Sequence, residues 1–178
     1  MAFIGQGAWQ IGSFTTLPTN VSGYNMTGIP STATKVRLTF HNLSLSGDGY
    51  CYVRAGHSGG TVTSGYEAVS AYHYFANTDS TGTAFTDRFG ISASNWDSQN
   101  WQWHGYINAE KIRDDGSAEE WMLTSEVHED NGNHYSDNRI MHFGRCIVDI
   151  GNNNLDRLVL YGTSGNFDSG IVRLDYVE

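Results

Sequence analysis

The sequence predicts an all-β domain, either a β-sandwich or a jelly roll, with about eight to ten antiparallel strands. Short segments of alternating apolar and polar residues recur along the chain, and no window keeps the apolar spacing of a helix over three turns. The 178 residues include 21 glycines and only 2 prolines, and Ser, Thr and Asn fill the stretches between apolar segments. Because aromatic residues make up 13% of the chain, a packed core is expected rather than disorder.

The clearest strand of the first half lies at residues 35–43, where polar and apolar side chains alternate. The residues expected to face the core there are Val36, Leu38 and Phe40. A looser alternation over residues 7–17 predicts an edge strand. The Gly-Asp-Gly turn within residues 46–49 predicts a hairpin that returns as a partner strand at residues 50–55. Residues 56–82 are polar and glycine-rich but contain several aromatic residues, so we expect loops with short strands.

The second half contains more strand signals and ends in the best-defined pair. Further strands are expected at residues 84–92, 100–113, 120–127 and 140–150. The last stretch, residues 155–178, holds two alternating runs around a glycine-rich turn, which predicts a closing hairpin. Its inward side chains would be Leu158, Leu160, Val172, Leu174 and Tyr176. Because two strands cannot persist alone, this pair must join a sheet that a second layer covers.

The net charge of −9 is concentrated in one segment. From Glu110 to Asp137 the acidic residues are opposed only by Lys111 and Arg113, so this segment accounts for −7 of the total. We expect no nucleic-acid partner, because binding along phosphates needs clustered Lys and Arg. The segment is interpreted as a solvated, self-repelling outer loop region.

The cysteines and the N-terminal residues indicate whether a disulfide, secretion or membrane insertion should be expected. Cys51 and Cys146 each lie inside a strand-like run, and neither belongs to a C-x-x-C motif. A disulfide between them is one alternative, but two buried thiols are favoured. Residues 1–14 have no basic start and no continuous apolar stretch, which predicts no secretion signal. No stretch of the chain is apolar enough to insert into a membrane.

Two patterns resemble catalytic motifs but lack the context that catalysis requires. Residues Gly56 to Gly60 match G-x-S-x-G, in which Ser58 would be the nucleophile. That serine must sit between a strand and a helix, and the residues that follow have no helical character. Glu119 and Glu120 are adjacent and would point to opposite faces of a strand, so a carboxylate pair for glycoside hydrolysis is disfavoured. No catalytic residue is assigned, and the chain is not expected to be an enzyme.

Histidines within the acidic segment suggest a weak alternative, the binding of a divalent cation. The candidate ligands are Glu126, His128, Asp130 and His134. Their spacing matches neither a helical His pair nor an EF-hand loop, so no metal site is assigned. No cofactor is expected.

Aromatic residues could provide a platform for a sugar, because flat exposed rings stack on sugars while nearby polar groups bind the hydroxyls. Trp101 and Trp103 share a face with Ile107, so they are interpreted as core or subunit-interface residues. The candidate glycan contacts are Trp96, Tyr106, Tyr66 and Tyr72. Of these, Tyr106 is the best placed, because it alternates to the face opposite Trp103.

Four short motifs occur in a fixed order along the chain. They are Thr27-Gly-Ile-Pro30, the turn of residues 42–47, the S-G-G-x-x-x-x-G-Y stretch ending at Tyr66, and L-D-R followed by F-D-x-G within residues 155–178. This order resembles that of a family of small β-rich bacteriophage virion proteins and fibre modules. The resemblance covers residues 27–66 and 155–178 and is poor between them. Its motifs are structural, and none is catalytic.

The resemblance implies a non-enzymatic structural protein on the exterior of a phage particle, assembled in the host cytoplasm. It would be a decoration (cement) protein or a short head or tail appendage. It would form a homo-oligomer, commonly a trimer, and attach to the major capsid protein or to tail or portal proteins. The alternative is a receptor-binding module of the tail-fibre type that recognises a host surface glycan.

The same resemblance divides the chain into two parts. Residues 1–26 would be an N-terminal docking segment with an edge strand, and residues 27–178 would be a single β-sandwich domain. The residues expected to dock on the particle are Phe3, Ile4, Trp9, Ile11 and Phe14. The chain is expected to be a complete small protein and not a piece of a long fibre.

Overall fold

The computed structural model describes residues 7–74, 80–92, 101–130 and 140–178. These residues form thirteen strands with antiparallel pairing and no helix, so the predicted all-β fold is confirmed. The strand number exceeds the predicted range of about eight to ten, partly because three of the strands contain only two residues. Within these ranges there is no helix long and apolar enough to cross a membrane.

In chain order the strands are β1 (Thr15–Thr16), β2 (Gly23–Thr27), β3 (Lys35–Leu45), β4 (Cys51–His57), β5 (Gly60–Thr61), β6 (Tyr66–Tyr74), β7 (Ser80–Phe85), β8 (Phe89–Gly90), β9 (Gln102–Asp114), β10 (Glu119–Asp130), β11 (Ile140–Asp149), β12 (Arg157–Gly162) and β13 (Phe167–Val177). The larger sheet has eight strands in the order β1-β13-β3-β9-β10-β11-β6-β7. The smaller sheet has the order β2-β12-β4-β5, and β8 pairs with β4.

The two sheets pack face to face around one hydrophobic core. The inward side chains predicted for β3 are all at most 1% exposed, as are Leu158 and Leu160 of β12 from the smaller sheet. From β13, Val172 is buried in the core, and Leu174 and Tyr176 pack against it. Full burial of a side chain of this size contributes about 1.5–3 kcal/mol, so the period of two in these strands is what fixes their inward faces.

Two predicted hairpins are wrong, because the chain changes sheet at the turn. β3 lies in the larger sheet and β4 in the smaller one, and the same holds for β13 and β12. β13 pairs instead with β1 and β3, while β12 pairs with β2 and β4. Strands that pair edge to edge and strands that face each other across a core show the same alternation, so the sequence pattern does not separate the two arrangements.

Two parts of the chain contain more strand than predicted: residues 18–26, for which no strand was predicted, and residues 56–82, where loops with short strands were expected. β2 pairs with β12 over five residues, and Leu17, which precedes it, is buried in the core. The chain before residue 27 therefore contributes to both sheets. Residues 56–82 include β6, which pairs with nine consecutive residues of β11. The side chains of β6 do alternate between inward and outward positions, but small residues such as Ala68 and Ser70 fill the inward ones. The apolar pattern in this part of the sequence is therefore weak.

The two cysteines are buried thiols on different sheets, as the sequence favours. Cys51 begins β4 of the smaller sheet, and Cys146 lies within β11 of the larger sheet. Burial in the core raises the pKa of the Cys146 thiol to about 12. A thiol that stays protonated at neutral pH is a poor nucleophile, so Cys146 is a packing residue.

Candidate functional site

Residues 7–16, called here the edge segment, lie along the outer edge of β13. Two backbone hydrogen bonds join Gln10 and Tyr176, with N···O distances of 2.7 and 3.1 Å, and β1 continues the antiparallel pairing. After β1, the Leu17 amide donates to the Gly170 carbonyl at 2.9 Å. The edge segment is thus an additional strand on an otherwise open sheet edge.

Three large apolar side chains of the edge segment point into solvent. Trp9 is 39% exposed, Ile11 63% and Phe14 49%. These are three of the five residues predicted to dock on a particle; Phe3 and Ile4 lie outside the described residues. A cluster of exposed apolar side chains on one short segment is characteristic of an interaction surface.

Two arginines of the larger sheet hold the rings of the edge segment in place. The Arg37 guanidinium lies 5.2 Å from the ring centroids of both Trp9 and Tyr106. The Arg173 guanidinium lies 4.8 Å from the ring centroid of Phe14. Cation–π contacts of this kind contribute about 0.5–1 kcal/mol each at exposed sites. The rings are therefore oriented while much of their surface stays in solvent.

A buried carboxylate fastens the middle of the edge segment. Asp175 is 2% exposed and accepts a hydrogen bond from the Gly12 amide at 3.0 Å. It also pairs with Arg173, at 3.0 Å between Nη2 and Oδ2. A Cβ atom at residue 12 would collide with the Leu174 carbonyl oxygen, so the close approach of the two backbones requires glycine. None of these anchoring residues was identified from sequence, because Gly12 and Asp175 lie 163 positions apart along the chain.

The aromatic residues predicted to contact a glycan fall in different environments. Tyr66 is only 3% exposed, and its hydroxyl accepts a hydrogen bond from the Ala55 amide at 2.8 Å. Burial raises the Tyr66 pKa, and its assignment as a surface contact is wrong because its ring completes the core. Tyr72 is half-buried, with its ring 6.1 Å from that of the buried His142. Trp96 lies outside the described residues.

Tyr106 does lie on the outer face of the larger sheet, as its alternation predicts. Its hydroxyl donates to Glu126 Oε2 at 2.7 Å, and this hydrogen bond to a carboxylate raises the Tyr106 pKa. Trp103 and Ile107 are at most 1% exposed, which confirms the interpretation of that face of β9 as core. With Arg37 stacked on its ring, Tyr106 helps to hold the edge segment.

The acidic segment is not a solvated loop throughout. Glu119 and Glu129 are buried, at 3% and 0% exposure. The Glu129 carboxylate is bonded to His142, and the Glu119 carboxylate pairs with Lys111 at 3.0 Å. The prediction of a self-repelling outer region is therefore wrong for these two residues, because each is buried and bonded to a specific partner.

Only two of the four candidate cation ligands, Glu126 and His128, have side chains that the structure describes. Glu126 and His128 share the outer face of β10, and Glu126 is engaged with Tyr106. The side chain of Asp130 and all of His134 lie outside the described residues. Among the residues that are described, no three His, Cys, Asp or Glu side chains are grouped to hold a metal ion.

Ser58 occupies a tight hairpin turn. It lies between β4 and β5, where His57 pairs with Gly60, so a strand and not a helix follows it. The Gly59 amide donates to His57 Nδ1 at 3.0 Å, and residue 60 has φ of 133°, which favours glycine. The G-x-S-x-G match is thus explained by turn geometry, and the strand–turn–helix context of a nucleophile is missing there.

Comparison with known proteins yields only weak structural similarities. No family model matches the sequence, and no curated protein matches it. Among solved structures, the infectious bursal disease virus VP2 subviral particle aligns at 10% identity and a TM-score of 0.14, over 93% of this chain and 42% of that chain. The infectious bursal disease virus Gx strain aligns at 11% identity and 0.15, over 96% and 40%. This chain spans well under half the length of those proteins, and similarities this weak carry no argument about fold or function.

Proposed function

We propose that this chain is a non-enzymatic structural protein of a bacteriophage particle. It is an exterior decoration protein or a short head or tail appendage, which self-associates and attaches through its edge segment to the major capsid protein or to tail or portal proteins. The observation that carries this proposal is the edge segment, with Trp9, Ile11 and Phe14 held outward on a backbone that is itself part of the sheet. The sequence resemblance to small β-rich phage virion proteins is the reason for proposing that the particle is a bacteriophage.

The motifs behind that resemblance fall at turns and bends of the sandwich. Residues 27–30 form the exit from β2, with Gly28 at a φ of 97°. Ser58 and Gly59 form the turn between β4 and β5. The F-D-x-G motif begins β13 and coincides with two shifts in its register to β3. Motifs that shape the backbone support a structural role rather than catalysis.

The opposite edge of the larger sheet supports self-association. β7 is the last strand in that sheet, and five of its six residues are exposed. Its sequence, STGTAF, contains no charged residue and no proline. Soluble proteins usually protect such edges with Lys, Pro or an inward charge, so an unprotected edge strand suits pairing with another copy. Trimers close exposed edges in this way.

Replacing Trp9, Ile11 and Phe14 together with serine is expected to weaken particle attachment by at least about a hundredfold. Each of these side chains would bury apolar surface in the interface. The free energy lost when all three are removed exceeds that of a hundredfold change in affinity. The backbone pairing of the edge segment is retained, so circular dichroism should report an intact fold. Attachment is measured by adding the purified protein to particles that lack it, followed by sedimentation and a quantitative gel.

The matched control replaces Val69 and Phe143, which are 51% and 48% exposed on the far strands of the same sheet, with serine. This variant should attach like the unmodified chain. Equal attachment of the triple variant and the control would refute docking through the edge segment. The number of copies per particle from the same gel separates a shell-wide decoration from a tail appendage.

A lysine at residue 81, the second residue of β7, is expected to dissociate the oligomer. Thr81→Lys places a charge on the exposed edge where a neighbouring strand would pair, and we expect at least a tenfold weaker self-association. Analytical ultracentrifugation measures the change, with Thr63→Lys on an exposed loop as the charge-matched control. A monomeric unmodified chain, or an unchanged oligomer in Thr81→Lys, would contradict association through β7.

Three of the four aromatic residues named from sequence as glycan contacts have other roles in the structure. Tyr66 belongs to the core, Tyr72 faces His142, and Tyr106 is engaged by Arg37 and Glu126. These three rings do not support a receptor-binding function, and Trp96 lies outside the described residues.

A further inference from the structure

A polar groove opens at the end of the larger sheet, where three neighbouring strands lose regular register. Its volume is about 390 Å³. The pairing of β3 with β9 shifts between Phe40 and Leu43, and the pairing of β13 with β3 shifts twice between Phe167 and Ile171. Such bulges are enriched next to functional sites, because they turn side chains away from the regular faces of a sheet. The polar side chains in the lining are Thr16, Thr19, His41, Asn42, Gln102, Asp168 and Ser169.

The backbone on both sides of this groove adopts unusual conformations. Asn42 has φ of 53°, in the left-handed region that residues other than glycine seldom occupy. Gly170 has φ of 133°, and a Cβ atom there would lie 3.1 Å from the Leu43 Cα atom. Backbone conformations of this kind persist only where the surroundings hold them, and they concentrate at ligand sites.

Hydrogen bonds fix the polar groups of the groove before any ligand arrives. Ser44, which is only 6% exposed, donates its hydroxyl to the Asp168 carboxylate. The Ser169 hydroxyl donates to the Asn42 carbonyl at 2.7 Å, and the Asn42 amide donates to His104 Nδ1 at 3.3 Å. Groups that are already ordered lose little conformational entropy on binding, so this network favours recognition of a small ligand.

We infer that this groove binds a neutral saccharide. A carboxylate accepts about four hydrogen bonds, and Ser44 occupies one of these positions on Asp168, so the others can accept from sugar hydroxyls. The side-chain amide groups of Asn42 and Gln102 can each donate and accept hydrogen bonds, as neighbouring sugar hydroxyls require. Leu17 and Ile171 add apolar surface for the C–H face of a pyranose ring. The volume falls within the range of about 300–1,000 Å³ that is usual for small-molecule sites.

The charge of the groove selects against an acidic sugar. None of the described residues in its lining is Lys or Arg, and the ionisable side chains there are Asp168 and His41. A sugar carboxylate would meet the negative charge of Asp168 with no Lys or Arg in the lining to offset it. Trp9, Ile11 and Phe14 do not line the groove, although Thr16 at the end of the edge segment does, so saccharide binding goes beyond particle attachment.

The test titrates the full-length chain with methyl glycosides of glucose, galactose, mannose and N-acetylglucosamine, and separately with N-acetylneuraminic acid, followed by ¹H–¹⁵N NMR. At least one neutral glycoside should give saturable shifts at the amides of residues 42 and 168–171. Asp168→Asn, which keeps an oxygen to accept from Ser44, should weaken its binding by at least about tenfold, as expected for loss of a charged acceptor. Thr19→Trp should abolish binding by filling the groove, and its amide spectrum checks the fold.

The control variant is Asp114→Asn, which removes the same charge at the opposite end of β9 and should bind normally. Absence of saturable shifts with all four neutral glycosides would overturn the inference. So would shifts that map elsewhere, an Asp168→Asn variant that binds as tightly as the unmodified chain, or tighter binding of N-acetylneuraminic acid. Loss of attachment in the Trp9, Ile11 and Phe14 triple variant should leave the titration unchanged, which separates this site from the docking surface.

Discussion

Alanine in place of Glu129 or of His142 is expected to lower the free energy of unfolding by about 3–5 kcal/mol. Both side chains are 0% exposed, and the Glu129 carboxylate bonds to His142 Nε2 across the neighbouring strands β10 and β11 of the larger sheet. Removing either partner leaves the other polar group buried without the bond that compensates its loss of hydration. Guanidinium denaturation monitored by tryptophan fluorescence measures the change, and the melting temperature should fall by about 10 °C.

The same pair permits a sharper test through a double replacement. Leucine at both positions removes the polar groups together, and we expect a smaller loss than in either alanine variant, because no partner remains unpaired. Glu126→Ala, on the outer face of the same strand, serves as the control and should change stability little. If the free energy of unfolding of each single variant lies within about 1 kcal/mol of that of the unmodified chain, the pair is not a major source of stability.

Local patterns predicted the strands whose signals are contained within a few residues. The alternation in β3 identified its core face, and the hairpin of β9 and β10 follows from the chemistry of its turn. Asp115 Oδ1 accepts bonds from the amides of Ser117 and Ala118, and Gly116 has φ of 79°. Hydrogen bonds from the Ser117 hydroxyl and from Arg113, together with those from the two amides, hold the Asp115 pKa well below its usual value.

Topology could not be predicted in the same way. The turns after β3 and after β12 are short and rich in glycine, which suits a hairpin and a crossing between sheets equally well. Choosing between them depends on which distant strand offers a free edge. In the structure β13 occupies the edge of β3, so β4 must join β12 in the other sheet.

The candidate site was predicted only in part, for a related reason. Exposed apolar residues near the N-terminus are visible in the sequence, and Trp9, Ile11 and Phe14 were identified from it. The groups that hold them, Arg37 and Arg173, were not identified from the sequence. Their roles come from contacts with a segment more than 20 residues away along the chain, and no local spacing encodes such contacts.

Replacing Glu119 with alanine should produce a loss of stability comparable to that of the Glu129 variants. Its Oε1 atom accepts hydrogen bonds from Trp121 Nε1 at 2.6 Å and from the Leu155 amide at 2.9 Å. Its Oε2 atom pairs with Lys111 Nζ at 3.0 Å. One carboxylate thus joins β9 and β10 to the loop that leads into β12, and its removal leaves buried donors unsatisfied at a cost of about 3–5 kcal/mol.

Glutamine at residue 119 separates the hydrogen bonds from the charge. Its carbonyl oxygen can still accept from Trp121 and Leu155, whereas the ionic contact with Lys111 is lost, so we expect an intermediate loss of about 1.5–3 kcal/mol. The neighbouring Glu120 points to the opposite face and pairs with the exposed Arg113 at 2.9 Å, so Glu120→Ala should have little effect. Equal stability of the Glu119 and Glu120 alanine variants in denaturant unfolding would show that the buried carboxylate does not connect the two sheets.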